Sequence, residues 1–311
     1  MKVLMLDAGY DSMSDYFRIE RNKVKNCHSC CLYKKTKNRG LFTKIIQFIG
    51  IYFFPPILFL IYGNWKYKIN SYDMFIVTSR RSAKYALSLI RKKTKNKKRI
   101  VIWYWNIVTK EELDPILYKK KGYEVWTFDY NDSKKYNMQY NNTYYFSNFD
   151  FDNKNKNIYD IFYVGVEKKG RIDIINNVKK ICEKSGLKYN VNIVKNPNYK
   201  SPYNISYSKN LDYYEIIKLV GESKAILDLN NGNQVGLTLR PLEALFFKKK
   251  LITNNINIIN YDFYSPDNIF ILGVDDISNL TIFLNKKYKE IDKKIIEKYD
   301  FSNWLKRLIA K

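Results

Sequence analysis

The sequence predicts an α/β protein made of two Rossmann-like domains, each a parallel, doubly wound sheet. Short apolar runs alternate with amphipathic stretches of helical period along the whole chain, the pattern of strand–helix–strand units. Near residue 150 the pattern gives way to Asn-Phe-Asp-Phe-Asp-Asn-Lys-Asn-Lys-Asn, polar and aperiodic, and then restarts. The length of 311 residues suits two domains of about 100 to 200 residues. We therefore expect an N-terminal domain over 1–150 and a C-terminal domain over 151–311, facing one another across a cleft. Open α/β sheets bind ligands beyond the carboxyl ends of their strands, so that cleft is the expected site.

In the first half the pattern predicts a strand at Val3 to Asp7, a long helical region, and a strand at Met74 to Thr78. A helix at Ser79 to Lys93 places Ala83, Ala86, Leu87 and Ile90 on one face. Arg99 to Trp105 is the next strand, Glu111 to Lys121 a helix closed by Gly122, and Tyr123 to Phe128 a further strand. In the second half, strands are expected at Tyr159 to Gly165, Tyr189 to Val194, Ala225 to Leu229, Lys250 to Thr253 and Ile269 to Leu272. Helices are expected at Arg171 to Ser185, Asp212 to Glu222, Leu239 to Lys248, Leu280 to Tyr288 and Ile291 to Tyr299.

Residues 45–62 are the most apolar stretch. They approach the roughly 20 residues of a spanning helix, but Gln47, Gly50 and Pro55-Pro56 interrupt them. Two short helices broken at the prolines are expected. Cations precede the stretch (Lys34, Lys35, Lys37, Arg39, Lys44) and follow it (Lys66, Lys68), the composition of a segment lying in a membrane interface. An interfacial or acceptor-facing segment, ordinary core helices and a transmembrane segment all remain open on this pattern.

The formal charge is +25, yet Arg accounts for only 10 of the 55 basic residues. Nucleic-acid readers favour Arg for bidentate contacts that Lys cannot reproduce, so no nucleic-acid partner is expected. Four Cys in a chain of this size make no extracellular disulfide framework, and Met1 to Asp7 reads as a buried strand, which points to the cytoplasm. Cys27, His28, Cys30 and Cys31 crowd together, but a distant second ligand pair is missing and no metal site is expected. A single His excludes a Ser-His-Asp hydrolase. Asp7-Ala8-Gly9-Tyr10-Asp11-Ser12 lacks the Gly-x-Gly-x-x-Gly that a dehydrogenase needs after its first strand.

Two constellations carry chemistry. Gly165 ends a strand, and Glu167-Lys168-Lys169-Gly170-Arg171 leads into a helix. Backbone amides at that helix start, with Lys168, Lys169 and Arg171, suit a diphosphate. The second runs from Asp228 through a Gly-containing loop to Leu245: Thr238 is placed to cap the helix, Pro241 fits its first turn, Arg240 suits a phosphate and Glu243 suits ribose hydroxyls. A structural Arg–Glu pair is the alternative for the last two.

The stretch Gln234-Val235-Gly236-Leu237-Thr238-Leu239-Arg240-Pro241-Leu242-Glu243-Ala244-Leu245, followed by Lys250-Leu251-Ile252-Thr253-Asn254-Asn255, resembles the donor-binding signature of GT-B glycosyltransferases. Ile102-Trp103-Tyr104-Trp105-Asn106 and Trp126-Thr127-Phe128-Asp129-Tyr130-Asn131-Asp132 are similar to the same bacterial group, the enzymes of lipopolysaccharide or capsule synthesis. The resemblance implies that Glu243 contacts the nucleotide ribose, while Gly236, Thr238 and Arg240 approach the phosphates. It implies transfer of a sugar from a nucleotide-sugar donor to a glycan or lipid-linked acceptor, with no cofactor besides the donor. A second Glu seven residues before Glu243, common in retaining members, is replaced by Gly236. An inverting enzyme is then expected, whose base would be Asp11 or Asp7 on the first domain. Asp150-Phe151-Asp152 falls in the linker, so the metal-dependent Asp-x-Asp pattern is not met, and Arg240, the lysines and helix amides are left to stabilise the leaving diphosphate. A basic nucleic-acid-binding protein and a two-Rossmann epimerase are the alternatives. The enzyme is expected in the cytoplasm or at the inner face of the membrane.

Overall fold

The computed structural model describes residues 1–34, 41–147, 157–230 and 235–310. Contacts divide the chain into two compact units, Met1–Asn142 and Thr143–Lys311. The linker expected near residue 150 lies largely outside the described residues. Residues 143–147, expected with the first half, pack with the second: Tyr145 N–H donates to Tyr299 O at 2.9 Å and Phe301 N–H to Tyr145 O at 2.8 Å.

The first unit contains β1 (Val3–Asp7), α1 (Ser12–Asn22), β2 (Cys27–Cys31), α2 (Leu41–Tyr52), α3 (Leu58–Ile61), β3 (Met74–Thr78), α4 (Lys84–Lys93), β4 (Arg99–Tyr104), α5 (Pro115–Lys120), β5 (Glu124–Thr127), α6 (Tyr130–Tyr136) and β6 (Gln139–Tyr140). The strands pair in parallel in the order β2-β1-β3-β4-β5-β6. All five residues of β1 are buried, as a parallel strand covered on both faces requires.

The main departure from expectation is β2. The Cys-His-Ser-Cys-Cys segment was expected within a helical region, but it is an edge strand in register with β1, Val3 opposite Cys27 and Asp7 opposite Cys31. Successive side chains of a strand point to opposite faces. His28 and Cys30 are therefore separated from the buried Cys27 and Cys31, and the four cannot converge on one ion.

The apolar stretch breaks as the prolines dictate. α2 ends at Tyr52, Pro55–Ile57 form a single 3-10 turn, and α3 folds back. The return depends on Gly50, where a Cβ would meet Leu58 Cγ at 2.4 Å. Among the described residues no helix is long and apolar enough to cross a membrane.

The second unit contains β7 (Tyr159–Val166), α7 (Arg171–Lys184), β8 (Tyr189–Val194), α8 (Tyr213–Gly221), β9 (Ser223–Asp228), α9 (Leu239–Phe246), β10 (Lys250–Thr253), β11 (Ile269–Ile271), α10 (Leu280–Asn285), α11 (Lys293–Tyr299) and α12 (Phe301–Ile309). Its parallel order is β11-β10-β9-β7-β8. Counted from the first strand of each sheet, both units run second, first, third, fourth, fifth, and the first unit adds a sixth. Two Rossmann-like domains are thus present, each reversing strand order beside its first strand, between β1 and β3 and between β7 and β9.

The sequence reading stopped at Tyr299 and missed α12. Asp300 caps this helix, accepting from Ser302 N–H, and Phe301, Trp304, Leu305 and Leu308 are buried along it. Trp304 and Phe301 enclose Tyr144, with ring centroids 4.5 and 4.9 Å away. Trp304→Ala should cost about 3–5 kcal/mol, the usual range for deleting a buried aromatic. Urea unfolding followed by circular dichroism will show a lowered midpoint for the second unit, and an unchanged midpoint would remove α12 from the core.

Candidate functional site

In the first unit the strand reversal opens a cavity of about 510 Å³ at the carboxyl ends of β1 and β3. Asp7, Gly9 and Asp11 line it from the β1 side, and Thr78, Ser79 and Arg80 from the β3 side. Trp105, Asn106 and Glu112 close it, and α2 contributes Gln47, Ile51 and Tyr52. Gly9 permits the tight approach of the loop to α1, since a Cβ there would lie 2.6 Å from Ser14 Cβ.

The two carboxylates expected as the base have different fates. Asp7 is buried in an ion triad: one oxygen accepts from Arg18 and from Gly9 N–H, the other from Arg21 Nη1 at 3.1 Å. Burial raises its carboxyl above the ordinary range against the pull of Arg21 and Arg18. With both oxygens engaged by Gly9, Arg18 and Arg21, Asp7 anchors the turn between β1 and α1. Asp11 caps α1 by accepting from Ser14 N–H at 2.8 Å, and it remains exposed at the cavity rim.

The sequence reading missed Glu112. Its carboxylate is buried and accepts from Ser79 Oγ, from Asn106 Nδ2 at 3.3 Å and from Arg80 at 3.3 Å. It was expected inside a helix starting at Glu111. That helix begins later because Asp114 caps it, accepting from Ile116 N–H at 2.9 Å, with Pro115 in the first turn. The Asp-Pro signal was available in the sequence.

In the second unit, Gly165 does not form a turn. It lies inside β7, where a Cβ would meet Tyr163 Oη at 2.5 Å, so its smallness accommodates the tyrosine. The turn glycine is Gly170, at φ 78°, which precedes α7 and provides no side-chain cap. Arg171 is engaged elsewhere: it donates to Val166 O at 2.9 Å and Leu229 O at 2.6 Å, bridging the ends of β7 and β9 across the strand reversal. Lys168 and Lys169 stay exposed beside the uncapped amides. Neither has a carboxylate partner among the described residues. Partial desolvation and the neighbouring Arg171 lower the Lys168 pKa. Glu167, at the end of β7, is buried; one oxygen accepts from Tyr207 Oη at 2.6 Å and the other has no hydrogen-bond partner among the described residues.

The Asp228-to-Glu243 constellation forms a different network from the one expected. Thr238 stands at the start of α9, but its hydroxyl donates to Asp228 at 2.8 Å instead of capping the helix, and Thr253 donates to the same carboxylate at 3.2 Å. Gly236 is buried, and Gln234 lies outside the described residues. Glu243 is 0% exposed: it accepts from Tyr213 Oη at 2.8 Å and from Arg240. Tyr213 in turn meets Tyr145 Oη at 3.0 Å. Glu243 is thus sealed from a ribose, while the Arg240 side chain, 18% exposed, is held by that carboxylate.

Among the described residues no group of three or more His, Cys, Asp and Glu is placed to hold a metal ion. Burial pushes the Cys27 and Cys30 thiols up to about 12, which favours the protonated form of both.

No family model matches the chain, and no curated protein matches it. Solved structures similar to it include the UDP-GlcNAc 2-epimerase of Methanocaldococcus jannaschii, at 14% identity and TM-score 0.49, covering 100% of this chain and 99% of that one. The UDP-GlcNAc 2-epimerase of Neisseria meningitidis follows at 12% and 0.48, covering 100% and 99%. A glycosyltransferase of kitacinnamycin gives 7% and 0.45, covering 99% and 95%. Likeness at this level says nothing of the reaction this chain performs.

Two outcomes are expected. Glu243→Ala leaves the partly buried Arg240 without its counter-charge and should cost about 3 kcal/mol, the lower end for breaking a buried pair; urea titration checks this, and replacing both with Leu should recover much of the loss. The second concerns His28, the chain's one histidine, which meets Tyr72 Oη at 2.5 Å. Burial, then Lys68, lowers its pKa below 6.5, so the fold favours the neutral ring. That contribution is present above pH 6.5 and lost as pH falls through the lower folded value. Melting temperatures from pH 7.5 to 5.5 should therefore drop in the wild type and stay flatter in His28→Gln.

Proposed function

We propose that the chain is a nucleotide-sugar enzyme, and specifically a metal-independent, inverting glycosyltransferase acting on a surface-glycan or lipid-linked acceptor. The observation that carries this reading is the β7–α7 turn. Among the described residues Lys168 and Lys169 have no carboxylate partner, and they stand beside a helix start that no side chain caps, at the strand reversal where such sheets take their ligands. A diphosphate relieves the crowding of like charge and satisfies the amides together.

In this reading the second unit holds the donor and the first unit's cavity holds the acceptor. The acceptor hydroxyl attacks the anomeric carbon, the bond from that carbon to the diphosphate oxygen breaks, and the hydroxyl proton passes to Asp11. Lys168, Lys169 and the α7 amides take up the charge developing on the departing diphosphate. A single displacement of this kind inverts the anomeric centre.

Calorimetry with UDP and a panel of nucleotide sugars tests the assignment. Lys168→Glu/Lys169→Glu should lose at least tenfold in affinity, about 1.4 kcal/mol, with unchanged melting temperature; equal affinity in that variant overturns it. Nuclear magnetic resonance of the same mixtures separates the reactions. Donor consumption that requires an acceptor is transfer, whereas a stereoisomeric nucleotide sugar formed without one makes the protein an epimerase.

A further inference from the structure

The helical pair α2–α3 leaves an apolar face uncovered. Leu41, Phe42, Phe48, Phe53, Phe54 and Leu60 are each between 58% and 75% exposed, while Ile46, Gly50 and Leu58 face inward. Isolated exposed apolar side chains are ordinary, but a contiguous group of large ones marks a surface that binds something apolar.

Charge identifies the occupant. From Arg21 to Tyr72 the sequence carries ten Lys or Arg and no Asp or Glu, although the chain has 30 acidic residues. Lys34, Lys44 and Lys68 are exposed. Lys66, expected among the bordering cations, is instead buried, its ammonium 4.2 Å from the Phe59 ring. A second copy of this chain would set these cations against their like, so self-association is disfavoured. An apolar surface flanked along the chain by cations alone matches the interface of an anionic bilayer, where rings and aliphatic chains enter the headgroup boundary and lysines stay at the lipid charge.

We propose that the exposed face of α2–α3 docks the protein on an anionic bilayer without crossing it. α2 is also a wall of the first unit's cavity through Gln47, Ile51 and Tyr52, and Arg81 lines the same cavity. Docking therefore brings the cavity to the lipid surface. If that cavity takes the acceptor, as proposed above, the acceptor is a membrane-anchored molecule whose polar end enters from the bilayer; the docking itself stands apart from that reading.

Flotation of the full chain with phosphatidylcholine vesicles, with and without phosphatidylglycerol, tests the docking. The wild type should float only with the anionic vesicles, and high salt should weaken the attachment without abolishing it. Phe53→Asp/Phe54→Asp should stay at the bottom while keeping its melting temperature and its response to UDP. A wild type that never floats, or a variant that floats equally well, overturns docking. So does a variant that only converts a dimer to a monomer in gel filtration, which would make the face a contact between copies. The UDP response is read independently, so a failed nucleotide assignment and a failed docking face give different results.

Discussion

Parallel pairing sends the carboxyl ends of all strands in a sheet to the same edge, and this constraint decides where the polar residues of the molecule gather. In both units the order reverses beside the first strand, so the connections leave toward opposite faces and a gap opens at that edge. Asp7, Ser79 and Glu112 collect at one such gap, and Glu167, Arg171 and Asp228 at the other. Buried charge at these places must be paired, because the interior cannot solvate it. Hence the same edges that gather polar chemistry also carry the structural ion pairs.

The two sites solve that conflict with different chemistry. The first unit neutralises Asp7 with two arginines and leaves Asp11 at the rim. The second spends Arg171 and Arg240 on internal partners and leaves two lysines facing water. Arginine's planar fork holds several partners in fixed directions and suits the latch between strand ends. Lysine's single mobile ammonium suits a ligand that comes and goes.

Most of the secondary structure was legible because apolar periodicity reports it directly: β1, β3, β8 and β10 stand at the limits the pattern predicts. β2 was illegible because Cys, His and Ser are not among the β-branched and aromatic residues that mark a strand. α12 was legible and overlooked, its cap at Asp300 and apolar spacing being plain in the sequence. The site was less readable than the fold. Arg240 and Glu243 are three residues apart and were recognisable as a pair, but only Tyr213, brought from another helix, seals the carboxylate. Local sequence likewise could not show that Arg171 reaches Leu229. Such partners are distant along the chain, and one sequence carries no signal for them.

The closure of α12 over Tyr144 and Tyr145 bears on how the chain matures during synthesis. The first unit is complete once residue 142 has left the ribosome. The second has its opening tyrosines waiting on Tyr299, Phe301 and Trp304, so it cannot finish its core until almost all of it has emerged. A ribosome paused before residue 299 would hold a folded first unit joined to an unfinished, aromatic-rich second one. Chaperones bind, and proteases cleave, nascent chains in that condition.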